Sequence, residues 1–242
     1  MTGNLSLKAE EGVHLLDQLG IDVVPLPDLG SGSVTVRAEG RPADGLAVTL
    51  IADGLGASTS FDGSMSWPQN EGATIAPVYS GTLAFKSADV SPLGMLAGRL
   101  LPMMSGELPV DAKAKVEGAG ASASLSDVSA RLGDITLASK LDAVLKSGLR
   151  RVTGDVMVSR VALAPLSEVL LGADVWDSVG GTGAGETDTP WPTGAFGAPL
   201  MGQGTVSLNV TSGAVDVGLE QPVKQAHFAL QIRADELAID GL

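Results

Sequence analysis

The chain has 242 residues, of which 44% are hydrophobic and 18% charged, so it is apolar enough to bury a core and is not disordered by composition. Its formal charge of −13 repels nucleic-acid phosphates and anionic membrane surfaces, which argues against both as direct partners. It has no cysteine, which excludes disulfides and cysteine-based metal sites, and it contains neither a long apolar run nor a secretory signal. Its 32 glycines and 3% aromatic residues are typical of many short strands joined by tight turns, so a mainly β fold is predicted.

The first part of the chain predicts a strand, a short helix and a second strand. Leu5 and Leu7 alternate with polar neighbours, and apolar residues then recur at helical spacing until Gly20. Alternation resumes after the helix and places Val34 and Val36 on one face of the second strand. The pattern therefore predicts a sheet with one apolar face and one polar face.

A second pattern occurs twice, in residues 81–98 (GTLAFKSADVSPLGMLAG) and 154–172 (GDVMVSRVALAPLSEVLLG). Each copy is interpreted as a glycine turn, an alternating strand, and a short apolar helix opened by Pro92 or Pro165, because proline fits the first helical turn. A fainter first copy begins at Gly3. An internal repeat of this kind predicts one continuous, elongated domain built of stacked units. The approximate repeats are residues 3–80, 81–153 and 154–242.

The remaining alternating segments predict further strands in every repeat. Turn signals about every 8–12 residues favour an antiparallel meander over parallel βαβ units. Residues 180–199 break the pattern with clustered glycine and proline, so a loop or linker is predicted there. Trp191 and Phe196 either anchor this loop on the sheet, which is the favoured interpretation, or contact a partner. The further strands are predicted at residues 46–52, 106–116, 122–128, 135–141, 204–210, 214–219 and 227–232.

Residues able to carry catalysis are sparse in this sequence. His14 and His227 are its only histidines, too few for the common zinc sites when cysteine is absent, and a structural role is predicted for each. There is no G-x-S-x-G elbow, no phosphate-binding loop and no spaced carboxylate ladder for calcium. We therefore predict no enzyme activity, no catalytic residue, no metal and no cofactor.

Four segments share related apolar patterns: residues 53–67 (DGLGASTSFDGSMSW), 126–143 (SDVSARLGDITLASKLDA), 81–98, and the late Trp/Pro-led stretch 191–242. Together they resemble the AsmA-like proteins of Gram-negative envelopes, in which similar strand-and-helix units recur. The resemblance covers most of the chain and rests on apolar patterns.

The resemblance implies an elongated, twisted antiparallel sheet curled into an open groove, with short α-helices between repeats. It also implies a non-enzymatic role in phospholipid movement between the inner and outer membranes and in outer-membrane integrity. The protein would lie in the periplasm, tethered to the inner membrane through a segment absent from this chain, with envelope proteins as possible partners at either end. The chain begins in a predicted strand and ends after one, so it is interpreted as an internal or truncated fragment.

Phospholipid acyl chains are the predicted partner of the groove, because an uncovered apolar face of hundreds of Å² makes a protein sticky. Two alternatives stay open: a structural or adhesive secreted β-repeat protein, and a hydrolase on a β scaffold. Each candidate residue also fits an ordinary core, so only a continuous apolar stripe distinguishes a lipid groove. The candidates are Val34, Val36, Leu83, Phe85, Val156, Val158, Val206 and Leu208.

Overall fold

A computed structural model describes residues 2–18, 30–42, 44–67, 76–92, 107–146, 149–162, 204–218, 221–233 and 237–241. Within these residues the chain forms thirteen strands and one short helix. None of the helical residues described belongs to a helix long and apolar enough to cross a membrane. The elements are β1 (Thr2–Ala9), α1 (Gly12–Gln18), β2 (Gly32–Arg41), β3 (Gly45–Gly54), β4 (Ala57–Ser66), β5 (Val78–Ser87), β6 (Val110–Ala119), β7 (Ser122–Leu132), β8 (Ile135–Lys146), β9 (Leu149–Val158), β10 (Val161–Ala162), β11 (Thr205–Asp216), β12 (Val223–Ile232) and β13 (Leu237–Asp240).

All the described strands belong to one open sheet, which confirms the predicted mainly β class. Each strand from β1 to β8 pairs antiparallel with the next in the chain, and β11, β12 and β13 continue the sheet beyond β9 in that order. The exceptions to the antiparallel prediction are β9 and β10, which both pair with β11 in parallel. β1 and β13 lie at the two ends of the strand order, so this sheet is not closed into a barrel.

Tight turns set the register of successive strands. The β3–β4 connection is the two-residue turn Leu55-Gly56, in which both residues have positive φ, 58° and 71°. Positive φ at both residues gives the turn the same sense of twist as the two strands that it connects. Because every side chain alternates between faces, this register carries the apolar pattern of one strand directly onto its neighbour.

Cross-strand pairing collects the apolar residues on one side of the sheet, which we call the apolar face. Leu5 lies opposite Val36, and Val36 lies opposite Leu50 on its other side. Leu50 in turn lies opposite Phe61, which lies opposite Leu83. Directly opposed residues project to the same face, so these side chains form a row across five neighbouring strands. The opposite face carries mostly serine, threonine and charged side chains.

A β-bulge in β7 preserves this separation of faces. The pairing of β7 shifts by one residue against both neighbours around Asp127, whose φ is 49°. Aspartate tolerates this left-handed conformation better than most residues. Strict alternation from Leu125 would put Asp127 on the apolar face, and the inserted residue instead returns Val128 to that face. The sequence prediction missed this bulge and ended the strand at residue 128.

The glycines that open the two repeats, Gly81 and Gly154, were predicted as turns, and this is wrong. Gly81 lies inside β5 opposite Gly63, and Gly154 lies inside β9 opposite Leu141. The repeat boundaries at 80/81 and 153/154 therefore fall within strands. The separate strands predicted at 204–210 and 214–219 are instead one long strand, β11.

A compact core lies at the C-terminal end of the sheet. Buried apolar side chains of β11 and β12 form one cluster, and Val161 of β10 and Val217 pack against it. A small set of side chains is also buried where α1 meets the β3–β4 turn, including Val13, Leu15 and Leu55. The members of the C-terminal cluster are Val210, Val215, Ala226, Phe228, Leu230 and Ile232.

Candidate binding face

The structure places every predicted groove residue on the apolar face. The eight residues form four pairs, one pair in each of four strands. The two residues of a pair are separated by one position, so both lie on the same side of their strand. β3 and β4 lie between β2 and β5, whereas β9 and β11 are direct neighbours. All of these side chains are half-buried rather than buried, and three of them, Val158, Val206 and Leu208, pack against the C-terminal cluster. The residues are Val34 and Val36 in β2, Leu83 and Phe85 in β5, Val156 and Val158 in β9, and Val206 and Leu208 in β11.

Sequence reasoning omitted the apolar residues of the intervening strands, although they complete the face. Leu50 and Phe61 bridge the two N-terminal pairs through direct cross-strand pairing. Val116 and Leu125 are paired in the same way between β6 and β7, and Leu125 also pairs with Leu141 of β8. The signal that finds these residues is the same alternation that identified Val34 and Val36.

Aromatic rings lie flat against glycines in the middle of the apolar face. A methyl group added at Gly81 would lie 2.7 Å from Phe61 Cε2, and one added at Gly63 would lie 2.8 Å from Phe61 Cζ. Tyr79 covers Gly118 in the same way, and its hydroxyl donates a hydrogen bond to the Ser122 carbonyl oxygen at 3.0 Å. The rings fill the space that side chains on these glycines would need.

The apolar face differs in burial along the sheet. Val36, Phe61 and Leu83 are half-buried, whereas Val210 and Phe228 at the C-terminal end are only 6% and 5% exposed. Among the described elements, the main contacts of β3–β8 are with their neighbours in the sheet. The part from β2 to β9, where most described apolar side chains are half-buried and Ala114 and Val116 are buried, is the candidate binding face.

One end of this face is closed by α1 and by local hydrogen bonds. A methyl group added at Gly32 would lie 3.3 Å from Leu15 Cδ2, so α1 lies over the apolar face beside β2. The Gly12 N–H donates to the Gly30 carbonyl oxygen at 2.8 Å, which fixes the start of the helix against the chain that enters β2. The helix predicted before Gly20 is thus confirmed over Gly12–Gln18.

A second set of local hydrogen bonds lies just beyond β5, at Asp89. Asp89 Oδ1 accepts hydrogen bonds from the Ser91 hydroxyl at 2.7 Å, the Ser91 N–H at 3.0 Å and the Leu108 N–H at 3.2 Å. These bonds, led by that of the Ser91 side chain, hold the pKa of Asp89 below its ordinary value. Ser91 and Pro92 are helical, as predicted for the proline-opened helix, whose remaining residues lie outside the described ones.

The polar face carries exposed ion pairs. Lys115 Nζ lies 2.6 Å from Asp127 Oδ2 across the bulge, and Lys86 Nζ lies 3.1 Å from Asp111 Oδ2. Hydrogen bonding and charge attraction between Lys115 and Asp127 lower the pKa of the carboxyl and raise that of the ammonium. Exposed pairs of this kind contribute little to stability. Their charged groups remain in contact with water, so this face is hydrated.

The two histidines lie in different elements and both are exposed. His14 Nε2 on α1 is 3.5 Å from Oε2 of Glu11, which precedes the helix, and His227 Nδ1 of β12 is 3.1 Å from Thr211 Oγ1 of β11. Within the described ranges, no cluster of three or more histidine, aspartate or glutamate residues is arranged to hold a metal ion. Trp191, Phe196 and the rest of the predicted loop 180–199 lie outside the described residues, as does the helix predicted after Pro165.

Comparison with known proteins adds no relative: no family profile, no curated protein and no solved structure matches the chain. The resemblance to AsmA-like proteins therefore stays a prediction from sequence motifs.

Proposed function

We propose that the candidate binding face holds the acyl chains of phospholipids, and that the chain is a non-enzymatic conduit or scaffold segment of the AsmA-like type. The observation that supports this proposal is the apolar face of β2–β9, most of whose described apolar side chains are half-buried, although Ala114 and Val116 of β6 are buried. Apolar area of this extent needs a cover, because each Å² removed from water stabilises by about 25 cal/mol. Acyl chains provide an apolar cover without requiring hydrogen-bonding groups from the face.

The dimensions of the face support a path for lipid rather than a point of attachment. Strands lie about 4.8 Å apart, so the sheet from β2 to β9 extends for roughly 35 Å perpendicular to the strands. One leaflet of a bilayer core is about 15 Å thick, and an acyl chain that spans it is therefore about 15 Å long. The face is long enough for two acyl chains end to end, as a conduit requires.

The chemistry of the two faces supports the same orientation. Phe61 lies close to Gly63 and Gly81, so this part of the apolar face offers an aromatic ring to an acyl chain. The polar face, with its exposed ion pairs, stays in water. In this proposal the headgroup lies outside the apolar face, and the protein acts in the periplasm between the two membranes, joined to other envelope proteins at its ends.

The proposal is tested by lipid retention in matched variants of one strand. Leu83→Glu and Phe85→Glu place a carboxylate on the apolar face, whereas Ala84→Glu places one on the polar face opposite Lys113. We expect phospholipid to co-purify with the wild type and with Ala84→Glu, and retention to fall at least about tenfold in the apolar-face variants because a buried charge is unfavourable. Native mass spectrometry and lipid extraction measure this, and circular dichroism verifies folding.

Two outcomes contradict the proposal. A wild-type protein that binds no phospholipid, either from its host membranes or from supplied vesicles, favours the structural β-repeat alternative. Equal retention in Leu83→Glu and Ala84→Glu means that the lipid lies elsewhere.

A further inference from the structure

A charged residue lies among the uncharged ones of the candidate binding face. Arg150, Val152 and Val156 are separated by even numbers of positions in a regularly paired part of β9, so they project to the same side of the sheet. Every other strand position of β2–β9 on that side holds an uncharged residue. Arg150 is exposed and lies opposite Leu145, where β9 begins. It therefore marks one margin of the face.

The local charge around Arg150 is opposite in sign to that of the whole chain. Between Asp142 in β8 and Asp155 in β9 the sequence carries Lys146, Arg150 and Arg151 and no acidic residue, whereas the chain has a net charge of −13. A cluster of cations attracts anions over a distance of about 10 Å at ordinary salt concentrations. The start of β9 is thus a place where an anion is favoured on a protein that otherwise repels anions.

The two ends of β9 differ in how their arginines are neutralised. Arg160 follows the end of β9, and its Nη2 lies 3.3 Å from Asp134 Oδ2. Among the residues that the structure describes, none forms an ion pair with Arg150. A guanidinium forms its strongest hydrogen bonds with an anion, and the donors of Arg150 are not committed to a described carboxylate.

We propose that Arg150 binds the phosphate group of a phospholipid headgroup, an inference that rests on the acyl-chain binding proposed above. An arginine lays its methylene stem along apolar surface and keeps its guanidinium in water. A phospholipid is divided in the same way, because its phosphate lies where the acyl chains meet water. The planar guanidinium donates two parallel hydrogen bonds to phosphate oxygens, a geometry that lysine does not provide.

The apolar surface that the acyl chain needs begins directly beside Arg150. Val152 lies about 7 Å further along β9, because each strand residue advances the chain by about 3.3 Å. Val152 is paired with Ala143 of β8 on one side and with Val206 of β11 on the other. A phosphate held at Arg150 therefore leaves the first methylene groups of the lipid over uncharged residues.

Two lipids with the same acyl chains test this assignment. Dioctanoyl phosphatidylcholine carries a phosphate and has no net charge, so the overall charge of the protein does not repel it. Dioctanoylglycerol lacks the phosphate. Each lipid is supplied below the concentration at which it aggregates, and equilibrium dialysis with native mass spectrometry measures its dissociation constant. Inorganic phosphate, measured in the same way, shows whether the arginine binds free anions instead.

Arg150→Gln is compared with Arg151→Gln, which removes the same charge from the next residue, on the polar face. We expect Arg150→Gln to weaken phosphatidylcholine binding by about fivefold, less at high salt, because exposed charge pairs are screened. It should leave dioctanoylglycerol binding unchanged, and Arg151→Gln should change the binding of neither lipid. Inorganic phosphate should bind the wild type and Arg150→Gln equally weakly, since it has no acyl chain. Circular dichroism verifies that both variants fold.

The inference is overturned, while the proposed function is not, if the wild type binds both lipids and Arg150→Gln binds each as the wild type does. Equal losses in Arg150→Gln and Arg151→Gln also overturn it, because the effect then comes from total charge and not from a site on the face. Inorganic phosphate binding that is lost in Arg150→Gln without a loss of lipid binding assigns the arginine to free anions. A wild type that binds neither lipid overturns the proposed function and this inference together.

Discussion

The β2–β9 and β11–β13 parts of the sheet carry the same alternation of apolar and polar residues, yet they differ in burial. Phe228 in β12 is 5% exposed and belongs to a packed cluster, whereas Phe61 in β4 is half-buried against glycines of its own and the next strand. Partly buried apolar side chains pack against the C-terminal cluster, among them Val158 of β9 and Val206 and Leu208 of β11, and β2–β8 have no comparable cluster among the described residues. A one-sided pattern therefore specifies which side of a strand is apolar, but the tertiary contacts of that side decide whether it becomes a core.

The largest effect expected from this comparison is on stability in the C-terminal cluster. Phe228→Ala should lower the free energy of unfolding by about 3–5 kcal/mol, because it leaves a cavity among buried side chains. Phe61→Ala removes the same atoms from a half-exposed site and should cost clearly less. Urea denaturation followed by circular dichroism measures both. Equal losses would mean that the β2–β9 face is as tightly packed as the C-terminal core.

A smaller effect is expected where the open face is held by contacts between rings and glycines. Gly81→Ala places a methyl group 2.5 Å from the Asp62 carbonyl oxygen and 2.7 Å from the Phe61 ring, so both must shift. Crowding of this kind costs about 1–3 kcal/mol. Gly3→Ala is the matched control, since nothing lies within 4 Å of its added methyl. The two variants unfolding at the same urea concentration would contradict the close approach.

The smallest effect on stability is expected at Asp89, whose carboxylate accepts hydrogen bonds from Ser91 and Leu108. Its lowered pKa means that the folded state favours the ionised carboxylate. This contribution is present above the ordinary carboxyl value of 3.8 and is lost as pH falls through the lower folded-state pKa. Asp89→Asn should therefore be less stable than the wild type at neutral pH, with a gap that narrows as the pH falls below 3.8.

Thermal unfolding of Asp89→Asn and the wild type, from neutral pH to about pH 3, measures this gap. Ser91→Ala serves as the control, because it removes the hydroxyl that contributes most to the lowered pKa and should shrink the pH-dependent part of the gap. A gap that stays constant across this range would show that the carboxylate charge does not stabilise the fold.

The sequence predicted the strands and the shared side of Val34, Val36, Leu83 and Phe85, because period-two alternation is a local property of the backbone. It missed the role of Gly81. A glycine flanked by polar residues is found both in turns and in strands where an aromatic ring covers the glycine, so the local sequence does not distinguish the two. The ring belongs to Phe61, and the contact exists only when β4 pairs with β5.

The Asp127 bulge and the parallel pairing of β9 with β11 were also beyond local pattern. Asp127 follows Leu125 at the spacing of a regular strand, and only the positions of its two neighbouring strands show that one residue is inserted. The parallel pair joins segments separated by residues 159–204, and nothing in either segment specifies that partner.

The sequence by itself determined a glycine-rich, acidic, mainly β chain with one apolar and one polar face per strand. These properties follow from composition and from alternation, which each segment carries within itself. The tertiary structure alone decided the order of strands, the glycines beneath aromatic rings, and the division of one apolar face into a buried and a half-exposed part. Burial is decided by which distant segments pack together, and that information is not contained in any single strand.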